Sequence, residues 1–120
     1  MKSYKDLDVY QESFRLAVEV NRMSLKLPKY ELYEVGAQIR RSSQSVKDNI
    51  VEGYGRKEYP VEFNRFLVFA YASLLEALSQ LEMLKVLYGL KELDNMIEEY
   101  KLLGKKLYRF KEYVKNNWRK

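Results

Sequence analysis

Residues 38–56 read QIRRSSQSVKDNIVEGYGR. In the first two-thirds of this stretch Ile39, Ser42 or Ser43, Val46 and Ile50 recur three or four apart, with Val35 one turn earlier. That spacing is one face of an α-helix. Ala37, Ser42, Ser43 and Ser45 keep the helix slim and let a neighbouring backbone come close. Serine is a poorer helix former than alanine, so the serines point to tight packing or a polar contact. Gly53 and Gly55 then interrupt the pattern, and Pro60 follows shortly after. The stretch therefore predicts a helix stopping near Gly53, in a glycine corner that needs a positive φ. The next helix opens around Tyr59 and Pro60, where a missing N–H costs nothing. Asn49 and Glu52 sit three apart beside Gly53 and Gly55 and are read as a structural clasp. Asn49 would bond the last carbonyls of this helix or the first N–H groups of the next. Glu52 would accept N–H groups there or pair with Arg56.

Three further helices are predicted around this one. The first spans about 7–26, with Asp6 or Asp8 as its cap and a stripe of Leu7, Tyr10, Phe14, Ala17, Val18, Asn21 and Leu25. Pro28 ends it, because the residue before a proline is pushed out of the α region. The central helix spans about 32–53, with acidic residues in its first turn. The third spans about 59–88, buries Phe63, Phe66, Leu67, Ala70, Leu74, Ala77, Leu81, Leu84 and Val86 or Leu87, and closes at Gly89. The fourth spans about 91–116 with Leu93, Met96, Ile97, Tyr100, Leu103, Leu107, Phe110 and Val114 inside. Gly104 falls mid-stripe there and marks a close helix approach or a bend. Short links between long amphipathic helices predict one all-α domain over 1–120, an up-down-up-down antiparallel four-helix bundle. The first helix is shorter than the last two, so the far ends of the long helices are expected to need cover, such as a second subunit.

Composition narrows the chemistry. The 120 residues contain neither cysteine nor histidine. Disulfides, thiolate or imidazole metal sites, and nucleophilic catalysis resting on Cys or His are excluded. The glycines of 53–56 do not follow a strand and match no nucleotide fingerprint. No Glu-x-x-His pair supports a two-metal carboxylate site. The expectation is a protein that is not an enzyme and carries no cofactor and no metal. No apolar signal core follows the first residues, and no run reaches the roughly 18 apolar residues of a membrane span. A soluble, cytoplasmic protein without a membrane partner is expected.

The formal charge is +5 and unevenly spread. From residue 101 onward eight cations, Lys101, Lys105, Lys106, Arg109, Lys111, Lys115, Arg119 and Lys120, meet one acid, Glu112. That exceeds what a helix C-terminus asks for. A second basic ridge runs along the central helix through Arg40, Arg41 and Lys47 and across the turn to Arg56 and Lys57. Unpaired cations in such rows hold phosphates without reading sequence. The candidate nucleic-acid contacts are therefore Arg40, Arg41, Lys47, Arg56, Lys105, Lys106, Arg109 and Lys111. The plainer reading is a salt-bridged surface with Glu34, Asp48 and Glu52 as partners. Eleven tyrosines, several near helix ends, fit rim packing, an oligomer interface, or, if exposed beside cations, stacking platforms for bases.

The opening Tyr4-Lys5-Asp6-Leu7-Asp8-Val9-Tyr10-Gln11, the stretch 38–56, and the later Glu62-Phe63, Arg65-Phe66-Leu67 and Ser73-Leu74, Glu76 resemble the 23S ribosomal RNA intervening-sequence protein family. Lys47 stands where that family usually has proline, and Ala72 where it often has glycine. The resemblance implies a left-handed four-helix bundle of bacterial origin that often assembles as a ring-shaped homopentamer. It also implies kinship with accessory proteins of diversity-generating retroelements, in which a basic pentamer surface binds nucleic acid and a reverse transcriptase. Arg40, Arg41, Asn49, Glu52, Gly53 and Arg56 are signature positions of the resemblance, expected at the helix corner or a subunit interface. Two functions follow. One is a non-catalytic, homo-oligomeric accessory protein that binds RNA or DNA through a basic surface. The other is a structural or protein–protein interaction module with a partner protein and no nucleic-acid role.

Overall fold

A computed structural model describes residues 3–118. Among them the chain forms four α-helices and no strand: α1 (Asp8–Ser24), α2 (Val35–Gly55), α3 (Pro60–Tyr88) and α4 (Glu92–Asn117). Each helix packs on the next, and α1 closes against α4, giving the expected antiparallel bundle, 49 Å long and about 20 Å across. Arg119 and Lys120 of the basic run lie outside the described residues.

The helix boundaries follow local chemistry. Ser3 and Asp6 form a reciprocal capping box around a single 3₁₀ turn, Tyr4–Asp6, so Asp6 caps that turn and not α1. Leu7 occupies the N-cap of α1 without a side-chain bond, and Asp8 favours the helix dipole from the first turn. A second 3₁₀ turn, Lys29–Tyr33, fills the space where the start of the central helix was expected. The helix begins at Val35, and its first turn carries no acid. Gly89 terminates α3 at φ 59°, the left-handed cap expected of it.

The glycine corner is built differently from the sequence expectation. Helix α2 continues through Gly53 to Gly55, and only Gly89 among the described glycines has a positive φ. Gly53 is needed for closeness. A Cβ there would stand 3.1 Å from Phe63 Cδ1, 3.2 Å from the Phe63 carbonyl oxygen and 3.2 Å from Phe66 Cβ. The start of α3 lies directly on the end of α2. Gly55 has open space around it and ends the helix. Gly104 likewise marks a close approach, its virtual Cβ 3.2 Å from Leu74 on α3.

The core follows the predicted stripes on α2 and α4 but not on α1. The buried row of α1 is Val9, Ser13, Leu16, Ala17, Val20, Met23 and Ser24. Phe14 and Leu25 point outward. Two rows of similar apolarity compete on this helix, and the row with the serines wins. Their hydroxyls fold back onto the helix's own carbonyls, Ser13 on Val9 and Ser24 on Asn21, and so need no water. On α3, Val86 and Leu87 are exposed rather than buried, and Phe66 is only half-buried.

The chain reaches both ends of the long helices with part of its own length, although Val86 and Leu87 stay exposed. The Tyr88 hydroxyl, at the end of α3, donates to the buried Glu31 carboxylate (2.6 Å) of the 3₁₀ turn, and the Tyr30 hydroxyl donates to Tyr88 (3.0 Å). At the opposite end Trp118 Nε1–H donates to the Lys57 carbonyl (2.9 Å), and the indole lies edge-on to Phe63.

One core residue is imperfectly satisfied. Tyr100 is fully buried, and its hydroxyl makes no hydrogen bond of good geometry, with the Ser43 hydroxyl the polar group close to it. Burial pushes this phenol above its usual value of about 10. Above that pH the unfolded chain releases the proton and the folded chain does not. The stability held below pH 10 therefore drains away as the solution becomes alkaline. Tyr100→Phe removes a poorly paired hydroxyl and should stabilise the fold by about 1 kcal/mol. It should also flatten the alkaline decline, as read by urea unfolding at pH 7 and pH 10.5. A destabilised variant would mean that the hydroxyl is paired in solution.

Candidate nucleic-acid interface

The cations of α2 are largely committed. Arg40 is half-buried and donates from Nη1 to Ser24 Oγ (3.0 Å) and from Nη2 to the Leu32 carbonyl (2.6 Å). It ties α2 to the end of α1 and to the following turn, so it is not a free phosphate ligand. Lys47 pairs with Asp48 at 2.8 Å. Arg56 pairs with Glu52 at 3.4 Å and lies over the Phe66 ring at 4.6 Å. Only Arg41 of this group is exposed with no partner among the described residues. Of the proposed clasp, Glu52 does take Arg56. Asn49 turns away from the corner: its Nδ2 donates to the Ser45 carbonyl (2.9 Å) and Ser45 Oγ (3.0 Å). Ser45 in turn meets Ser73 at 2.8 Å, and Ser42 donates to Gln80 at 2.8 Å. The small polar residues of α2 thus form a hydrogen-bonded seam with α3.

The cations of α4 divide into two sets. Lys106 turns toward α1 and pairs with Asp8 at 3.2 Å. Lys111 is mostly buried and pairs with Glu112 at 2.9 Å, which holds that carboxyl below its usual range. Its ammonium also lies 4.4 Å from the centre of the Tyr108 ring. Lys101, Lys105 and Arg109 follow one another at four-residue steps, about 6 Å of rise each, and share an exposed side of α4. Lys101 has Glu98 at 3.6 Å. Lys105 and Arg109 have no ion-pair partner among the described residues. Because α2 and α4 lie diagonally across the bundle, the two basic groups face different ways and do not merge into one surface.

Beside Lys101, Lys105 and Arg109 an open cavity of about 580 Å³ runs between α3 and α4. Tyr71, Leu75 and Leu78 line one wall and Tyr108 the other, with Gly104 at the floor. The tyrosine rings meet edge to face at 5.7 Å. Sequence reading counted the cations here singly and missed the groove. The available signal was Tyr108 set one residue before Arg109 and three after Lys105. Among the described residues no group of three acids, histidines or cysteines is placed to hold a metal ion.

A sequence model of the 23S rRNA-intervening sequence proteins matches residues 5–109. The chain belongs to that family. No curated protein matches it. The stretch shared with the 23S rRNA-intervening sequence proteins runs from the first 3₁₀ turn into the second half of α4. Lys105 and Arg109 fall inside it, and Lys111 falls outside.

Two apolar surfaces are also left open. The outermost line of α3 reads Val61, Arg65, Val68, Ala72, Leu75, Ser79, Met83 and Val86, with one charge in eight positions, and its large members are exposed. This helix is long and apolar enough to cross a membrane by length and composition alone. On α1, Phe14 and Leu25 border a second groove of about 440 Å³ that ends at Arg22 and Lys47.

Proposed function

We propose that this member of the 23S rRNA-intervening sequence proteins is a non-catalytic, homo-oligomeric accessory protein whose α4 face holds the phosphate backbone of RNA or DNA. The observation that carries the reading is the pair Lys105 and Arg109, exposed, one helical turn apart and without an ion-pair partner among the described residues. Arg41 is a separate, lesser contact.

The open faces of α3 and α1 support the oligomer. A monomer rarely leaves so much contiguous apolar surface to water. The two patches differ from one another, so contact between them is heterologous and runs head to tail, closing into a ring where the rotation between subunits permits. A ring of five, as the family resemblance implies, carries a formal +25, five times the +5 of one chain. Such a field gathers polyanions from solution. The same apolar faces support a second reading, a protein-interaction module whose charge serves only solubility.

The test is a titration of labelled RNA and DNA at several salt concentrations, on protein whose assembly mass is known. Micromolar or tighter binding is expected, with log affinity falling steeply against log salt. Lys105→Gln with Arg109→Gln should weaken it at least tenfold and reduce the salt slope, with the melting midpoint unchanged. Absence of binding at low salt, or equal binding by the double variant, overturns this reading in favour of the interaction module.

A further inference from the structure

Resting on that reading of α4, we infer that the Tyr71–Tyr108 groove is a subsite for an unpaired nucleobase, so that the nucleic acid taken is single-stranded. The groove combines three features that a duplex does not use. First, Tyr108 is 48% exposed: the Lys111 ammonium lies over its ring and Tyr71 meets it edge to face, and the remaining surface is open to a flat ligand. Base–aromatic stacking tolerates any base because every base has a π face. Second, the walls beyond the rings are apolar, from Leu75 and Leu78, and the floor at Gly104 carries no side chain. The volume of about 580 Å³ lies within the range of small-ligand sites. Third, Lys101, Lys105 and Arg109, at four-residue steps along α4, all line the groove. Lys105 and Arg109 stand beside the slot at the level of Tyr108, where the phosphates flanking an inserted base would lie. Glu98 closes one end and takes Lys101.

A paired base cannot enter. Its faces are stacked on neighbours, and extracting it costs unpairing and unstacking energy. An acidic peptide would satisfy the cations but leave the tyrosine face without a matching partner. The ring of Tyr108 is already fixed, with the Lys111 ammonium and Tyr71 against it, so little side-chain freedom is lost on binding.

The probes are a twelve-nucleotide single strand, the duplex of the same sequence, an abasic strand of equal phosphate number, and an acidic amphipathic peptide, each titrated by anisotropy. The single strand is expected to bind at least tenfold tighter than the duplex and the abasic strand. Tyr108→Ala should weaken the single strand roughly tenfold. It should leave the abasic strand and the salt slope unmoved, and Tyr108→Phe should restore binding. Equal affinity for single strand and abasic strand, or indifference to Tyr108→Ala, overturns the base subsite while leaving the phosphate reading of α4 standing. Loss of all binding to nucleic acid at low salt overturns both. Displacement of the single strand by the peptide at lower concentration than by unlabelled strand assigns the groove to a protein partner and overturns the subsite.

Discussion

Phe63→Ala is expected to cost about 3–5 kcal/mol, the range for emptying a fully enclosed aromatic site. Phe63 has no exposed surface and sits where three parts of the chain converge. Tyr54 from α2, Phe110 from α4 and Trp118 beyond α4 each present a ring edge-on to it, at centroid distances of 6.4, 5.9 and 5.1 Å. Beneath it lies Gly53, which has no side chain to move into the void. The neighbours are large, rigid and held by other contacts: Trp118 by the Lys57 carbonyl, Tyr54 by Lys57 Nζ at 2.8 Å. They cannot collapse to refill the space, which is the condition for a large cavity term. Urea unfolding should show the loss as a lower midpoint at unchanged slope. A loss under 1 kcal/mol would mean that the aromatic cluster repacks.

Gly36→Ala is expected to cost about 3 kcal/mol, the upper part of the overpacking range. A methyl at Gly36 would lie 2.5 Å from the Glu31 carbonyl oxygen, a separation that cannot persist. That oxygen is backbone and is held in the 3₁₀ turn by the Glu34 N–H at 3.1 Å. Arg40 Nη1, 3.3 Å from the methyl, is held too, by Ser24 and, through its second nitrogen, by Leu32. Relief requires shifting the turn, which would loosen the Glu31–Tyr88 bond that covers the end of α3. The same urea experiment measures it, and a midpoint matching the parent protein would show that the turn moves freely.

The contrast between α4 and α1 explains how much of the fold was legible in the chain. On α4 one apolar row alternates with charge for the whole length, and every residue expected inside is buried except Phe110, which is half-buried. On α1 the aromatic and aliphatic residues that stand out, Phe14 and Leu25, are those left outside. Serines that satisfy themselves on their own helix look polar in sequence and behave as small core residues in the fold. The glycines of the corner show a second limit. A positive φ and a close approach both require glycine, and neighbours in three dimensions decide which applies at Gly53. The candidate site was legible as charge but not as geometry. Sequence counts Arg40 and Lys105 alike, yet one guanidinium is occupied by Ser24 and Leu32 while the other cation faces solvent unpaired.

The hydrogen-bonded seam of Ser42 with Gln80, Ser45 with Ser73, and Asn49 with Ser45 has a consequence for axial alignment. Two smooth apolar helices can slide past one another by a turn and still bury similar area. Here a slip of α2 along α3 would part Ser42 from Gln80 and Ser45 from Ser73, while the Asn49–Ser45 bond, internal to α2, would persist. The seam therefore fixes one register and penalises its neighbours, as a buried polar pair does in a coiled coil. Only residues 56–59 connect the two helices, so the chain tests that alignment early, at little loop-closure cost. The same α3 presents Leu74 to Gly104 and Tyr71 to Tyr108 of α4. A part-buried alignment device on one side of α3 thus holds in place the helix against which the α4 face is packed.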